Sequence, residues 1–174
     1  MDKGATACNK CYPGFFTNKK GTVRCEPCPL GKFQSEFGMT KCNDCPQDKK
    51  MTVTAAVTCN HNCKAGTYSV DNKTCISCTP GSFQRGAAAL KCYQCNVGYF
   101  QPMSSRKACI KAFPGSYVKE RGSTLARLCP AGTANPLKAA SSVKACKSCN
   151  SGSYAAAAGS SKCEPCHVSI SLCY

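Results

Sequence analysis

Cysteine recurs along this chain at a fixed step, and no other feature limits its folding so strictly. A Cys-x-x-Cys pair opens at Cys8, Cys25, Cys42, Cys75, Cys92, Cys146 and Cys163, and Cys59-x-x-x-Cys63 joins the series with one extra residue. The step is 17 residues from Cys8 through Cys25 and Cys42 to Cys59, 16 to Cys75, 17 to Cys92 and Cys109, and 17 again from Cys146 to Cys163. Repeats of this length define a quasi-linear array in which each unit meets mainly its neighbours. The chain reads as one continuous array over 1–174. It has regular cells at 8–59, an irregular cell at 59–78, regular cells at 78–109, a bridge-lacking cell at 109–129 and further cells at 129–174.

Composition leaves covalent staples as the source of stability. Leu, Ile, Val and Phe number 24 of 174 residues and Trp is absent, which is below the roughly 20% that a chain needs to build a core. At about 25 cal/mol per Å² of buried apolar surface, so little material cannot offset about 1–2 kcal/mol per residue of backbone ordering. The 19 cysteines replace it. Each bridge that closes a loop of about 15 residues contributes roughly 3 kcal/mol in the chain-entropy model.

Two chemistries fit paired cysteines at this spacing, disulfides and four-thiolate zinc. The cell at 109–129 separates them. Ala112 stands where Cys109 should find its partner in the pair, and Ala126 stands three residues before Cys129. If the second Cys of each pair bonds the first Cys of the next, this joint change removes one bridge and leaves all others intact. In a zinc array it would strip a ligand from each of two pairs. The disulfide reading is therefore favoured, and it gives the pairs Cys11–Cys25, Cys28–Cys42, Cys45–Cys59, Cys63–Cys75, Cys78–Cys92, Cys95–Cys109, Cys129–Cys146 and Cys149–Cys163. Cys8, Cys166 and Cys173 are left over, as candidates for a terminal or intermolecular bridge. No metal and no cofactor is expected.

Alignment on the second Cys of each pair exposes a turn. Three residues on stands Gly14, Gly31, Gly66, Gly81, Gly98, Gly115, Gly132 or Gly152, and five residues on an aromatic: Phe16, Phe33, Tyr68, Phe83, Phe100, Tyr117 or Tyr154. Pro fixes φ near −65° and Gly accepts φ > 0, so this is a tight turn entering a short extended segment. A second turn, as at Phe37-Gly38, returns the chain. The fold class that follows is small, disulfide-rich and mainly β. It is an elongated linear array of about ten 17-residue stapled hairpin cells, with roughly three to four residues per strand and almost no hydrophobic core. Each aromatic ring is expected to cover a neighbouring disulfide.

The net charge of +15 comes from Lys and Arg scattered singly, with Lys19-Lys20 and Lys49-Lys50 the tightest clusters. Without a block of five like charges, this is a solvated cationic surface that can meet an acidic polysaccharide, and nucleic acid is not expected as a partner. Eight carboxylates and two histidines offer no acid–base pair or nucleophile constellation, so an enzyme is not expected. His61 and His167 read as solvated loop histidines. Asn72-Lys73-Thr74 is an N-glycosylation acceptor in the Cys63–Cys75 cell, where a glycan would face water. Structural disulfides place the chain outside the cytosol, as a secreted or cell-surface protein. No stretch is long and apolar enough to span a membrane.

Cells such as Cys25-Glu-Pro-Cys28-Pro-Leu-Gly31-Lys-Phe33 resemble the ephrin-receptor-like and tumour-necrosis-factor-receptor-like cysteine-rich repeats. The uninterrupted tandem copies also look like cysteine-rich surface proteins of protists, namely ciliate immobilisation antigens and Giardia variant surface proteins. The resemblance runs from Cys8 to Cys166 and implies a non-catalytic extracellular scaffold. The function expected first is a disulfide-laddered rod that assembles with itself, head-to-tail or laterally, into a filament or surface coat. The alternative is a receptor or adhesion ectodomain that binds a protein ligand or an anionic glycan.

Overall fold

The computed structural model describes residues 10–19, 24–46, 49 and 51–166. Cys8, Cys173 and His167 lie outside them. Within this range the chain forms eight two-stranded ladders, each made by one glycine turn and its return. β1 (Phe15–Phe16) pairs with β2 (Glu26–Pro27), β3 (Lys32–Phe33) with β4 (Asn43–Asp44), and β5 (Thr67–Tyr68) with β6 (Ile76–Ser77). β7 (Ser82–Phe83) pairs with β8 (Tyr93–Gln94), and β9 (Tyr99–Phe100) with β10 (Ile110–Lys111). β11 (Ser116–Tyr117) pairs with β12 (Arg127–Leu128), β13 (Thr133–Ala134) with β14 (Lys147–Ser148), and β15 (Ser153–Tyr154) with β16 (Glu164–Pro165). The aromatics at the fifth position after the cysteine close the first strand of their ladders, as Phe16 opposite Glu26 and Phe100 opposite Ile110.

Strands are two residues long, shorter than the sequence suggests, and the backbone hydrogen bonds give the reason. From Phe16 to Tyr117, the residue after each aromatic turns its N–H to the next cell instead of continuing the ladder: Gln34 donates to Ala56 at 3.0 Å, Gln84 to Arg106 at 3.0 Å and Val118 to Ala140 at 2.9 Å. The turn glycine does the same, with Gly14 donating to the Gln34 carbonyl at 2.7 Å and Gly81 to that of Gln101 at 2.7 Å. Backbone groups that a longer hairpin would use internally thus join cell to cell, which satisfies them in a chain with almost no core.

The return turn carries a second regularity. Gly38, Ala55, Asn72, Ala88, Ser105, Gly122, Ala139 and Gly159 all have φ between 50° and 89°. Several donate the N–H to the carbonyl of an earlier pair's second cysteine, as Gly38 to Cys11 at 2.8 Å, Ser105 to Cys78 at 2.9 Å and Gly122 to Cys95 at 2.8 Å. An L-residue in this region costs roughly 1–2 kcal/mol. The bond formed at the turn and the close approach of its carbonyl to a distant glycine offset that cost.

Two compact units divide the chain: Met1–Thr79 with Phe83–Tyr93 and Ser104–Ala108, and Pro80–Ser82 with Gln94–Met103 and Cys109–Tyr174. In the first unit Met51, Ala56, Cys59 and Ala88 are buried together, with Phe33, Cys45 and Val53 packed against them. In the second unit, the loop between Cys129 and Cys146 spans 17 positions where six of the eight bridges span 14. Its three extra residues form the one 3-10 turn among the described residues, Val143–Ala145, whose first turn is capped by the Ser142 hydroxyl accepting from the Lys144 N–H at 3.2 Å.

Candidate recognition surfaces

The structure brings together the cysteines as Cys11–Cys25, Cys28–Cys42, Cys45–Cys59, Cys63–Cys75, Cys78–Cys92, Cys95–Cys109, Cys129–Cys146 and Cys149–Cys163, with Cα separations of 5.5–5.8 Å. Cys166 is disulfide-bonded as well. Seven of these bridges stand at the base of a ladder, whereas Cys45–Cys59 closes a segment that forms no ladder among the described residues. Among the described residues, no group of three His, Cys, Asp or Glu side chains is placed to hold a metal ion.

The cell without a bridge keeps the geometry of the others. Ala112 donates its N–H to Gly98 at 2.8 Å and accepts from Ala139 at 2.7 Å, as Cys95 does toward Gly81 and from Gly122. Tyr117 stands opposite Arg127 across β11 and β12, the register that Phe100 and Ile110 have in the bridged cell before it. Two ladder pairs and the cell-to-cell bonds hold this shape without a sulfur.

In the first unit, rings from separate cells gather on one face. Tyr12 meets Phe37, Phe83 and Tyr93 at centroid distances of 5.2, 5.8 and 6.0 Å, and Tyr93 meets Phe37 at 5.7 Å and Phe83 at 6.2 Å. Such edge and tilted pairs are worth about 0.5–1.5 kcal/mol each beyond their burial. Phe83 is buried, whereas Phe37 leaves 43% of its surface open. The Arg85 guanidinium lies 4.9 Å from the Tyr12 ring centre and the Lys91 ammonium 5.8 Å from that of Tyr93, so the face is both aromatic and cationic. Burial, with Tyr12 close by, pushes the Tyr93 phenol above its ordinary pKa.

Sequence reasoning selects only Phe83 from this face. The signals for the others are present: Tyr12 and Tyr93 each directly follow a cysteine, and Phe37 precedes the return-turn glycine. The expectation that rings cover neighbouring bridges leaves out what these four do, which is to meet one another. With no larger core available, apolar rings bury best against other rings.

His61 departs from the solvated loop histidine read from the sequence. It is 7% exposed, its Nδ1 accepts the Cys63 N–H at 3.3 Å, and its Nε2 has no hydrogen-bond partner. The extra residue between Cys59 and Cys63 folds the ring inward. Burial depresses the imidazole pKa, against smaller upward effects of the Ala89 backbone and the Asp71 carboxylate. Asp71 itself is held far below the usual carboxylate range, because its carboxylate accepts the Lys73 and Thr74 N–H groups and the Ser69 hydroxyl. Asn72, at the tip of that turn, is exposed.

A second feature that sequence reasoning misses is a buried amide six residues past the second cysteine, directly after the strand position that usually holds the aromatic. Gln34 donates to the Lys41 carbonyl at 2.9 Å and accepts the Glu36 N–H at 3.0 Å; Gln84 donates to Lys91 at 2.6 Å and accepts from Gly86 at 3.0 Å. Asn135 bonds the Ser116 carbonyl at 3.0 Å. The signal lies in the same alignment on the second cysteine, which places Gln34, Gln84, Gln101 and Asn135 in register.

The family described as tyrosine-protein kinase ephrin type A/B receptor-like matches residues 14–63. Over these residues the chain is similar to cysteine-rich repeats of ephrin-receptor-like type. That repeat is a non-catalytic ectodomain module, and with the dense disulfide bonding it fits an extracellular or secreted protein. Comparison with curated proteins gives no match. No helix among the described residues is long and apolar enough to cross a membrane.

Proposed function

We propose that the chain is an extracellular adhesion or receptor ectodomain that binds an acidic polysaccharide through the aromatic and cationic face of its first unit. The observation that carries the reading is the gathering of Tyr12, Phe37, Phe83 and Tyr93 beneath Arg85 and Lys91. The part-exposed Phe37 ring, held by its tilted neighbours, offers an apolar surface to the C–H face of a sugar, and the two cations meet a carboxylate or sulfate on the same residue. Three properties support that occupant: the net charge of +15, the partial exposure of Phe37 and the ectodomain character of the matched repeat. A self-assembling filament or surface coat, of the kind the protist resemblance implies, is the second reading. Its support is that each described ladder has only two strands, which leaves strand edges for lateral pairing.

The test is binding of the oxidised chain to an immobilised uronate polymer across a salt series, with a neutral polysaccharide as reference. Binding should weaken as salt screens the cations. Phe37→Ala should weaken it about tenfold, equivalent to about 1.4 kcal/mol, and Arg85→Gln several-fold. Equal affinity of both variants and the parent would overturn the reading. Growth of particles with concentration in the absence of glycan would favour the coat instead.

A further inference from the structure

The bridge-lacking cell holds a concavity that its missing bridge does not explain. Its return loop shapes an open concavity of about 350 Å³ whose lining includes Lys119, Glu120, Arg121, Ser123, Leu125 and Arg127. Three of these side chains are cations and one is an anion, a local balance of +2. Glu120 is occupied by Lys119 at 3.3 Å. The guanidinium groups of Arg121 and Arg127 have no ion pair, ring contact or hydrogen bond among the described residues, unlike that of Arg85. Two unpaired guanidiniums therefore line one cavity.

The loop is anchored where those arginines need it to be. Its tip is tied to the preceding cells by the Gly122 N–H on the Cys95 carbonyl at 2.8 Å and by the Gln101 N–H on the Ser123 carbonyl at 3.0 Å. The Ser123 hydroxyl closes the turn on the Glu120 carbonyl at 2.8 Å. At its base, Arg127 belongs to β12, paired with Tyr117. One arginine is thus carried by the anchored turn and the other by the ladder.

We propose that this loop is a binding site for a compact oxyanion, a sulfate or phosphate group, gripped by Arg121 and Arg127. The planar guanidinium fork matches the geometry of such groups bidentately, which a lysine ammonium does not. The site is open to water, so affinity comes from two forks acting together and not from burial. The proposal concerns the second unit alone and holds whether or not the aromatic face binds a saccharide.

Calorimetric titration of the oxidised full chain tests it, using inorganic sulfate, inorganic phosphate, a sulfated disaccharide and the same disaccharide without sulfate. Saturable binding of the sulfated disaccharide, lost at least tenfold in Arg121→Gln/Arg127→Gln, is the expected result. Lys64→Gln/Lys73→Gln, which removes the same charge from the first unit, should change affinity less than twofold. Arg121→Lys/Arg127→Lys keeps the charge and should still bind several-fold more weakly than the parent, which separates the fork from simple attraction. Inorganic anions binding as tightly as the sulfated sugar identify a site for the free oxyanion, and tighter binding of the sugar identifies a saccharide ester. No saturable binding of any probe, or unchanged affinity in a double Gln variant that retains its disulfides and unfolding midpoint, would overturn the proposal.

Discussion

Restoring the missing bridge is the sharpest perturbation this chain offers. In Ala112→Cys/Ala126→Cys the two new thiols would stand 14 positions apart, the separation of six of the existing bridges. The ladder register and the backbone bonds of Ala112 match those of the bridged cells. Ala112 is fully buried, as Cys28, Cys95 and Cys129 are at the same position of their cells. Closing a loop of about 15 residues lowers the entropy of the unfolded chain enough to stabilise by about 3 kcal/mol. The existing bridges do not pre-empt this. Their loops follow one another without overlap, and residues 112–126 lie between the Cys95–Cys109 and Cys129–Cys146 loops. The added sulfurs must fit beside packed backbone, and a poor fit costs about 1–3 kcal/mol. Because the backbone of this cell already has the geometry of the bridged ones, the lower end of that cost applies, and a net gain of about 2 kcal/mol in its opening free energy is expected. Hydrogen exchange of the amides between 112 and 126 is the assay, because a repeat array need not unfold in one step. Intact mass, with two hydrogens lost and no free thiol gained, shows that the bridge has formed. If it forms and amide protection in this cell does not rise, the reasoning from independent loops is wrong. If the thiols stay free, the equivalence of this cell to the others is wrong.

Other outcomes follow from single contacts. A methyl group on Gly81, at φ +79°, would overlap the Gly122 carbonyl oxygen, whereas one on Gly31, at φ +76°, meets nothing within 4 Å. Gly81→Ala should cost about 2–4 kcal/mol and Gly31→Ala only about 1 kcal/mol, read from hydrogen exchange of the amides in each cell. His61 titrates near 6.5 when unfolded and lower when folded, so the unfolded chain binds the extra proton first as pH falls. Stability should hold above pH 6.5 and decline below it, and His61→Gln should flatten that decline. Asp71, whose carboxyl is held far below its ordinary range, stays ionised through the histidine's titration and loses its contribution only at much lower pH. Expressed through a secretory pathway, the chain should carry one N-glycan at Asn72, and Thr74→Ala should remove that mass without changing the disulfides.

The hairpin array is legible in the sequence because cysteine, turn glycine and strand aromatic recur at fixed offsets, and each has a local physical reason to be where it is. The features that escape are those fixed by distant cells. Ala55, Ala88, Ser105 and Ala139 occupy left-handed turn positions that no local preference of Ala or Ser suggests. Ala55 is held there by bonds to Cys28 and from Ala87 and by its carbonyl against Gly14. The face of Tyr12, Phe37 and Tyr93 has the same character, since its members stand at different positions of their cells, after a second cysteine, in a return turn and after a first cysteine, and meet only once the cells pack. His61 escapes for a different reason: one additional residue between cysteines, small in sequence, decides which way a side chain faces.

The consecutive loops also set the order in which the chain can be oxidised. Six bridges join cysteines 14 positions apart, and none of the eight spans another. At synthesis rates of about 5–20 residues per second, both partners of a bridge enter an oxidising compartment within roughly three seconds of each other. Each correct bond joins the nearest cysteine of the next pair, so emergence itself favours native pairing without a search among distant partners. The contacts between Gly81 and Gly122 or Gly98 and Ala139 form later, when two further cells have arrived. They therefore act as a check on cells already closed: a mispaired hairpin presents no turn glycine for the later carbonyl to seat against.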